Sequence, residues 1–271
     1  MFSRGIDNLA WLEALTPKSS IITDGLGGNF DPEEHDSSST TWENNITDGG
    51  NLYIGNGLEL ITGADGTYFQ FDGTDDFIGN LAETGYSAAV GYNVDLTANN
   101  LTFSFWWWAS AVSAGEFNRI LSIGNVAYTG TGHHGLSMSM DDASDKLSFQ
   151  TFNDAYGFSV TRTTTDDIGR NMWNHITVVK EGSTSTLRIY VNGKYQQMSI
   201  TNEGAAYTDT ESFGGPAQPI QFGRIKAPGP TPWRYTAGAC RIGMILLYNT
   251  KALKKSEIMS NYLAKKADYG H

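Results

Sequence analysis

Cysteine is almost absent. The 271-residue chain holds one, Cys240, so no disulfide can close within it. A lone thiol of this kind reads as buried and inert. Proline is scarce as well: seven residues against 31 glycines, a balance that suits many short strands joined by turns. No apolar run approaches the 18 or more residues of a membrane span, and no membrane insertion is expected. The opening stretch, MFSRGIDNLAWLEALTPKSS, lacks the continuous apolar segment of a signal peptide, so synthesis in the cytoplasm without classical secretion is expected. Positive charge is also short: 18 Lys and Arg stand against 29 Asp and Glu, a net charge of −11. Phosphate backbones and anionic membrane surfaces would be repelled, which excludes nucleic acid as a partner. The one lysine-rich stretch, LKKSEIMSNYLAKKADYG, reads as a C-terminal helix with a basic end.

Catalytic patterns are missing too. The acidic doublets Asp75-Asp76, Asp141-Asp142 and Asp166-Asp167 fall in turn-like sequence. Neighbouring residues on a strand point to opposite faces, so a doublet makes a poor pair across a sugar bond, where carboxylates stand roughly 5–9.5 Å apart. All three read as solvated turns. No Gly-x-Ser-x-Gly elbow and no His-Glu-x-x-His site occurs. The expectation is a protein that is not an enzyme and carries no cofactor and no metal.

What is present is a large aromatic and apolar complement, 12% and 39% of residues, in alternating runs. The stretch LTFSFWWWAS (101–110) shows the pattern best. Leu101, Phe103, Phe105 and Trp107 alternate with Thr102, Ser104, Trp106 and Trp108, a period of two that marks a strand. One face is apolar throughout. The other begins polar and ends in two indoles, so its end must be covered on both sides, as in an inner strand of a two-sheet protein. Similar runs recur from residue 51 onward: LELITG, TYFQFDG, RILSIGN, GLSMSM, KLSFQTF, FSVTRTT, WNHITVVKEG, TLRIYVNGKYQQMSI, PIQFGRI and RIGMILLYN among them. VNGK (191–194) is an Asn-Gly hairpin turn, with Leu187, Ile189 and Val191 facing in and Arg188 and Tyr190 out. MDDASDK (140–146) reads as a longer hairpin loop. The fold class is all-β: an antiparallel two-sheet jelly-roll sandwich with a short N-terminal helical arm and a C-terminal helix. The arm is 1–20, the jelly roll 21–265 and a tail 266–271. The stretch TDGLGGNFDPEEHDSSSTTWENN after the arm reads as loop.

Four segments, in order, carry a family resemblance. YFQFDGTDDFI (68–78) resembles the Asp-Gly-x-x-Asp opening strand of concanavalin A-like, laminin-G-like and pentraxin-like jelly rolls. LTFSFWWWAS resembles their Phe-Thr-x-Ser-x-Trp strand, with Trp106 at the usual tryptophan and Trp108 extra, expected under a loop or at a chain contact. MWNHITVVKEGSTSTLRIYVNGK (172–194) is similar to their Trp-led hairpin, and RIGMILLYNTKALKKSEIMSNY (241–262) to their closing strand and helix. SSTTWENNITDGGNLYI is similar to the opening segment of phage and bacterial versions. The resemblance covers roughly residues 20–265.

The resemblance implies more. Some relatives hydrolyse polysaccharides, but the acidic alternation is lacking here. Relatives that bind calcium do so through two acidic loops. The matching segments here are VAYTGTGHHG and KAPGPTPWRYT, neither with an acid. Asp141, Asp142 and Asp145 could offer three carboxylates, but an acidic hairpin is the simpler reading, and His133-His134 lacks further ligands. On the pentraxin-like alignment, loops 126–135 and 224–235 should lie near each other. They bring Tyr128, His133, His134, Trp233, Arg234 and Tyr235 together as a candidate sugar site, which Asn153 and Tyr156 would join. The alternative is that these aromatics pack long loops onto the sandwich.

The closing strand reads IGMILLYN, with Gly243, Met244 and Leu246 where relatives carry charge, so its outer face should be covered by the N-terminal helix or by another subunit. Trp11, Leu12, Leu15, Met244, Leu246 and Trp108 are the candidate interface. Lys254 replaces the usual Ser or Thr cap of the last helix. The functional expectation is a non-enzymatic virion structural protein, a capsid decoration or tail-fibre component, homo-oligomeric or docked on other virion proteins and binding host-surface glycans. The alternatives are a lectin-like module of a cellular surface protein and, less favoured, a polysaccharide hydrolase.

Overall fold

A computed structural model describes residues 19–46, 49–80, 91–110, 117–125, 134–141, 144–153, 158–182, 187–203, 218–226, 233–236 and 238–271. Among these, the chain forms β1 (Leu26–Phe30), β2 (Thr41–Trp42), β3 (Leu52–Gly55), β4 (Glu59–Gly63), β5 (Gly66–Phe71), β6 (Phe77–Gly79), β7 (Asn93–Val94), β8 (Asn100–Ala109), β9 (Phe117–Asn125) and β10 (His134–Asp141). It continues through β11 (Leu147–Asn153), β12 (Phe158–Thr164), β13 (Trp173–Glu181), β14 (Leu187–Val191), β15 (Lys194–Gln196), β16 (Met198–Glu203), β17 (Gln218–Phe222), β18 (Arg224–Lys226), β19 (Trp233–Tyr235) and β20 (Cys240–Tyr248). A helix, Lys255–Lys265, follows.

Two antiparallel sheets result. One runs β15-β14-β13-β8-β20-β5-β4, with β1 also paired to β20; the other runs β16-β12-β11-β10-β9-β17-β6-β3-β2, with β7 on β17. The jelly-roll sandwich anticipated from the alternating runs is the observed fold. Phe103, Phe105 and Trp107 of β8 point into the space between the sheets, with Ile176 and Val178 of β13, Ile242, Ile245 and Leu247 of β20, and Ile120, Leu121 and Ile123 of β9. The VNGK hairpin forms as read: Val191 pairs with Lys194, and Asn192 and Gly193 take φ of 50° and 74°, the left-handed pair that a tight hairpin turn requires.

One expectation changes. The stretch read as loop after residue 20 contains β1 and β2, and it buries Phe30 and Trp42 in the core. Its glycines hid the strand, which exists because β20 offers it a partner, Leu26 opposite Tyr248 and Phe30 opposite Ile245. The tail, residues 266–271, packs back on the sandwich: Tyr269 is buried, and His271 Nε2 donates to the Trp173 carbonyl at 2.7 Å. The helical arm falls outside the described residues.

The outer face of the first sheet carries a second, smaller core of Tyr68, Trp106, Trp173, Val179, Tyr190, Met244, Leu246 and Tyr248, closed by Leu253, Ile258 and Tyr269. Met244 and Leu246, expected as an interface, are buried within the chain at 5% and 2% exposure. Their cover is the C-terminal helix and tail, with Ile21, Ile22 and Leu26 packed alongside. Asn261 pins these pieces together: its Oδ1 accepts from the Ile22 N–H and its Nδ2 donates to the Tyr248 hydroxyl, both at 2.8 Å. The helix start is half capped. Lys254 offers no acceptor, but Glu257 accepts from the Lys254 N–H at 2.8 Å.

Candidate functional site

The described residues enclose one aromatic cleft, built from a single row across the outer face. In β20, β8 and β13, Arg241 lies opposite Trp108 and Trp108 opposite Trp173. The pleat sends all three side chains to the same face. The Arg241 guanidinium stacks 4.4 Å over the Trp108 ring and 4.8 Å over Tyr68, and it reaches Asp65 at 3.7 Å. Tyr269 packs on Trp173 with centroids 4.8 Å apart. The hollow between this row and the docked tail is about 290 Å³, lined by Asp65, Trp108, Asn171, Met172, Trp173, Tyr269, Gly270 and His271. That volume sits near the lower end of the ~300–1,000 Å³ typical of small-molecule pockets.

Its chemistry is that of a sugar-sized site: aromatic faces with a few polar groups at the rim. Behind this lining, the Trp173 indole N–H and Arg241 Nε are buried without a hydrogen-bond partner. Asp65 is the only side-chain carboxylate among the lining residues, so the described cleft holds no Asp/Glu pair of the kind used in most glycoside hydrolysis. A second hollow, about 370 Å³, is lined by Gly27, Gly49, Gly50 and Gly91 with Ile46, Tyr92, Asn93 and Asn249; its one aromatic hydroxyl, Tyr92, is committed to Asn249 at 3.0 Å.

A Ser–His contact lies beneath the cleft. Ser104 Oγ stands 2.8 Å from His175 Nε2 and 3.0 Å from Thr177 Oγ1. It is not a nucleophile site. Ser104 and His175 are 1% and 2% exposed, roofed by Trp106 and Tyr262, and His175 Nδ1 has no carboxylate to orient it. Burial, with His271 nearby, pushes the His175 pKa down to about 3 and keeps the ring neutral. Cys240 is buried as read, and burial pushes its thiol up to about 12.

The strands that lead into the two loops expected to converge end at opposite ends of β9, and residues 126–133 and 227–232 lie outside the described residues. Loop 126–133 leaves β9 at Asn125, where His134 pairs. Asn153 pairs with Phe158 at that same end, so the loop bearing Tyr156 starts there too. The 224–235 hairpin leaves the other end. Phe222 sits opposite Leu121, the Gly223 N–H bonds the Ile120 carbonyl, and the Cys240 thiol donates to Asn118 Oδ1. The antiparallel register of β17 on β9 enforces this separation. Eight residues of strand, roughly 26 Å at ~3.3 Å each, divide the two ends.

Tyr128, His133 and Tyr156 lie outside the described residues, as do Trp11, Leu12 and Leu15. The backbones of Trp233 and Arg234 and the half-buried Tyr235 form β19, paired with β18. Trp108, read as extra, lies under Arg241 and against the tail. Trp173, Arg241 and Asp65 were not singled out, although Trp173 opens the quoted hairpin motif and alternates onto the outer face with His175, Thr177 and Val179. Tyr269 had no local signal. Of the acidic groups, Asp145 is held by Arg170 at 2.7 Å. Asp166 and Asp167 are exposed, as read, but Asp76 is 3% exposed and not a solvated turn residue.

Comparison with known proteins points to the same architecture. No curated protein sequence matches the chain. Among solved structures, the sialidase of Trypanosoma rangeli aligns at 16% identity and TM-score 0.58, over 93% of this chain and 35% of its own. The binding domain of Paraclostridial Mosquitocidal Protein 1 aligns at 17% and 0.59, over 88% and 52%. The botulinum neurotoxin serotype D binding domain aligns at 13% and 0.60, over 89% and 52%. The chain thus spans from about a third to about half the length of these proteins, and the likeness is one of fold. The pattern of the concanavalin A-like lectin/glucanases superfamily matches residues 81–258, about two thirds of the sequence. With that match laid over the two-sheet jelly roll, the chain belongs to the concanavalin A-like lectin/glucanases superfamily.

Proposed function

We propose that the protein is a non-enzymatic carbohydrate-binding module that takes a sugar ring in the Trp108–Trp173 cleft. The observation that carries this is the row Arg241–Trp108–Trp173, whose indoles line a hollow of one-ring size together with Asp65 and Asn171. Apolar C–H faces of a pyranose stack on indole, and its hydroxyls take the Asp65 and Asn171 side chains. The superfamily includes lectins, and two of the similar structures are toxin binding domains, which favours binding over hydrolysis. The solitary Asp65 points the same way.

The test is a glycan array followed by calorimetry on the hits. Trp108→Ala should remove binding by more than tenfold, and Tyr235→Ala should leave it unchanged. Loss in Tyr235→Ala alone would move the site to the β18–β19 hairpin. Absence of any glycan hit, or reducing-end release from β-glucans, agar or alginate, would overturn the reading.

The proposed setting is a virion, as a capsid or tail component made in the host cytoplasm, with the N-terminal arm reaching a neighbouring subunit. The resemblance of its opening segment to phage versions supports this. Mass spectrometry of purified virions, with the identity of neighbouring genes, tests it.

A further inference from the structure

We propose that the turn Asp72–Asp76 is a divalent-cation site of the calcium type, at the end of the sandwich that carries the β18–β19 hairpin.

The turn joins β5 to β6. Gly73, at φ +85°, lets it press against the Gly238 backbone, where a Cβ would stand 2.8 Å from the Gly238 nitrogen and oxygen. The Asp72 carboxylate accepts the Thr74 N–H at 2.7 Å, and Asp76 Oδ2 accepts the Asp72 N–H at 2.8 Å. From outside, Asn56 Nδ2 holds the Asp75 carbonyl at 2.8 Å. These bonds fold the turn inward, so that one oxygen of each of Asp72, Asp75 and Asp76 lies within 4.8 Å of the others. Two oxygens about 2.4 Å from a common calcium ion span at most that distance.

Acidic turns without ions are common, and clustering alone would carry nothing. The further observation is Asp76. Its side chain is in a residue only 3% exposed, and its Oδ1 is buried with no hydrogen-bond donor. No cationic side chain among the described residues pairs with any of the three carboxylates. A buried carboxylate oxygen left without donor or counter-ion is costly unless protonated or ligated. A hard cation with oxygen preference supplies that oxygen with a partner and the three carboxylates with a counter-charge. Asp72 and Asp75 are exposed, which leaves room for water to complete the shell. Three carboxylates without a closed cage suit a weak site, with Kd of about 10⁻⁴–10⁻³ M.

The site lies where it could brace a binding rim. A Cβ on Gly223, the residue leading into β18, would stand 3.2 Å from the Asp76 carbonyl. The cation proposal does not depend on the sugar reading.

Thermal denaturation with 10 mM CaCl₂ against EDTA is the test, on the full chain at pH 7. Calcium should raise Tm by about 3–6 °C, and MgCl₂ by much less. Asp75→Asn, which changes an exposed group, and Asp76→Asn should each abolish the shift; Asp145→Asn should keep it. In EDTA, Asp76→Asn should melt above wild type, because it removes an uncompensated buried charge and keeps the oxygen that accepts from Asp72. No calcium shift in wild type, an undiminished shift in Asp75→Asn, or a shift lost only in Asp145→Asn each overturns the proposal.

Discussion

Tyr269 lies nearly flat on Trp106, ring centroids 4.6 Å apart and planes inclined by 26°, while its hydroxyl accepts the Met244 N–H at 2.8 Å. One residue, two before the C-terminus, thus covers the indole and closes a defect in the closing strand. Between Ile242 and Ile245 the β20 register slips: Gly243 and Met244 together oppose Trp106. The bulge takes the Met244 N–H out of the ladder, and the phenol satisfies it. Tyr269→Phe should therefore cost about 1–3 kcal/mol, the penalty of a buried amide left unpaired. Tyr269→Ala should cost about 3–5 kcal/mol. Urea unfolding measures both, and a shift of tryptophan emission to longer wavelength in Tyr269→Ala would report Trp106 becoming wet.

Gly243 leaves the space on the closing strand that Tyr269 fills. A Cβ there would stand 2.3 Å from the Tyr269 hydroxyl oxygen and 2.5 Å from the ring. Gly243→Ala should undock the tail and destabilise by about 1–3 kcal/mol through overpacking. The same substitution placed on Tyr269→Ala should cost far less, since the clash is gone. A double-mutant cycle with additive effects would contradict this coupling.

Acid should weaken the fold through His175. Its folded pKa of about 3 lies below the ordinary 6.5, so its contribution is complete above pH 6.5. As pH falls from there, the unfolded chain takes a proton that the folded chain refuses, until about pH 3. The loss approaches 1.4 kcal/mol per pH unit. Asp76 acts in the opposite sense: its raised pKa of about 6 adds stability as pH falls from 6 toward 3.8. His175→Gln removes the first effect alone. Between pH 6.5 and 4.5 its unfolding free energy should fall less steeply than wild type, and equal slopes would refute the assignment.

Removal of residues 1–18 should leave a folded, non-aggregating protein. Met244 and Leu246 are already sheathed by the C-terminal helix and the strap around Ile22, where Ser260 Oγ donates to the Ser20 carbonyl at 2.9 Å. Light scattering compares the two lengths. A monomer from the shorter chain and an oligomer from the longer would assign assembly to the arm, and aggregation of the shorter chain would show that the arm shields a surface.

Much of the fold was legible because strand alternation is a local property. LTFSFWWWAS sorts its side chains between two faces wherever it is placed, and VNGK demands a tight turn for reasons internal to four residues. Leu26–Phe30 was not legible, because its two glycines erase the pattern and only the open edge of β20 makes it a strand. The cleft was half legible. Trp108 was visible as an indole in need of cover, but its partners Arg241 and Trp173 are 133 and 65 residues away in the chain and meet it only through sheet register.

The sequence by itself determined the class of fold, the inward and outward faces of the strands whose side chains alternate, and the absence of any disulfide within the chain. Only the tertiary structure decided what covers the outer face, which loops share an end, and which acidic doublet is buried. The reason is physical. Alternation assigns a side chain to a face, but cover, register and burial depend on which distant segment packs there. That choice comes from the summed packing of the whole sandwich, such as a tyrosine finding the gap above a glycine 26 residues before it.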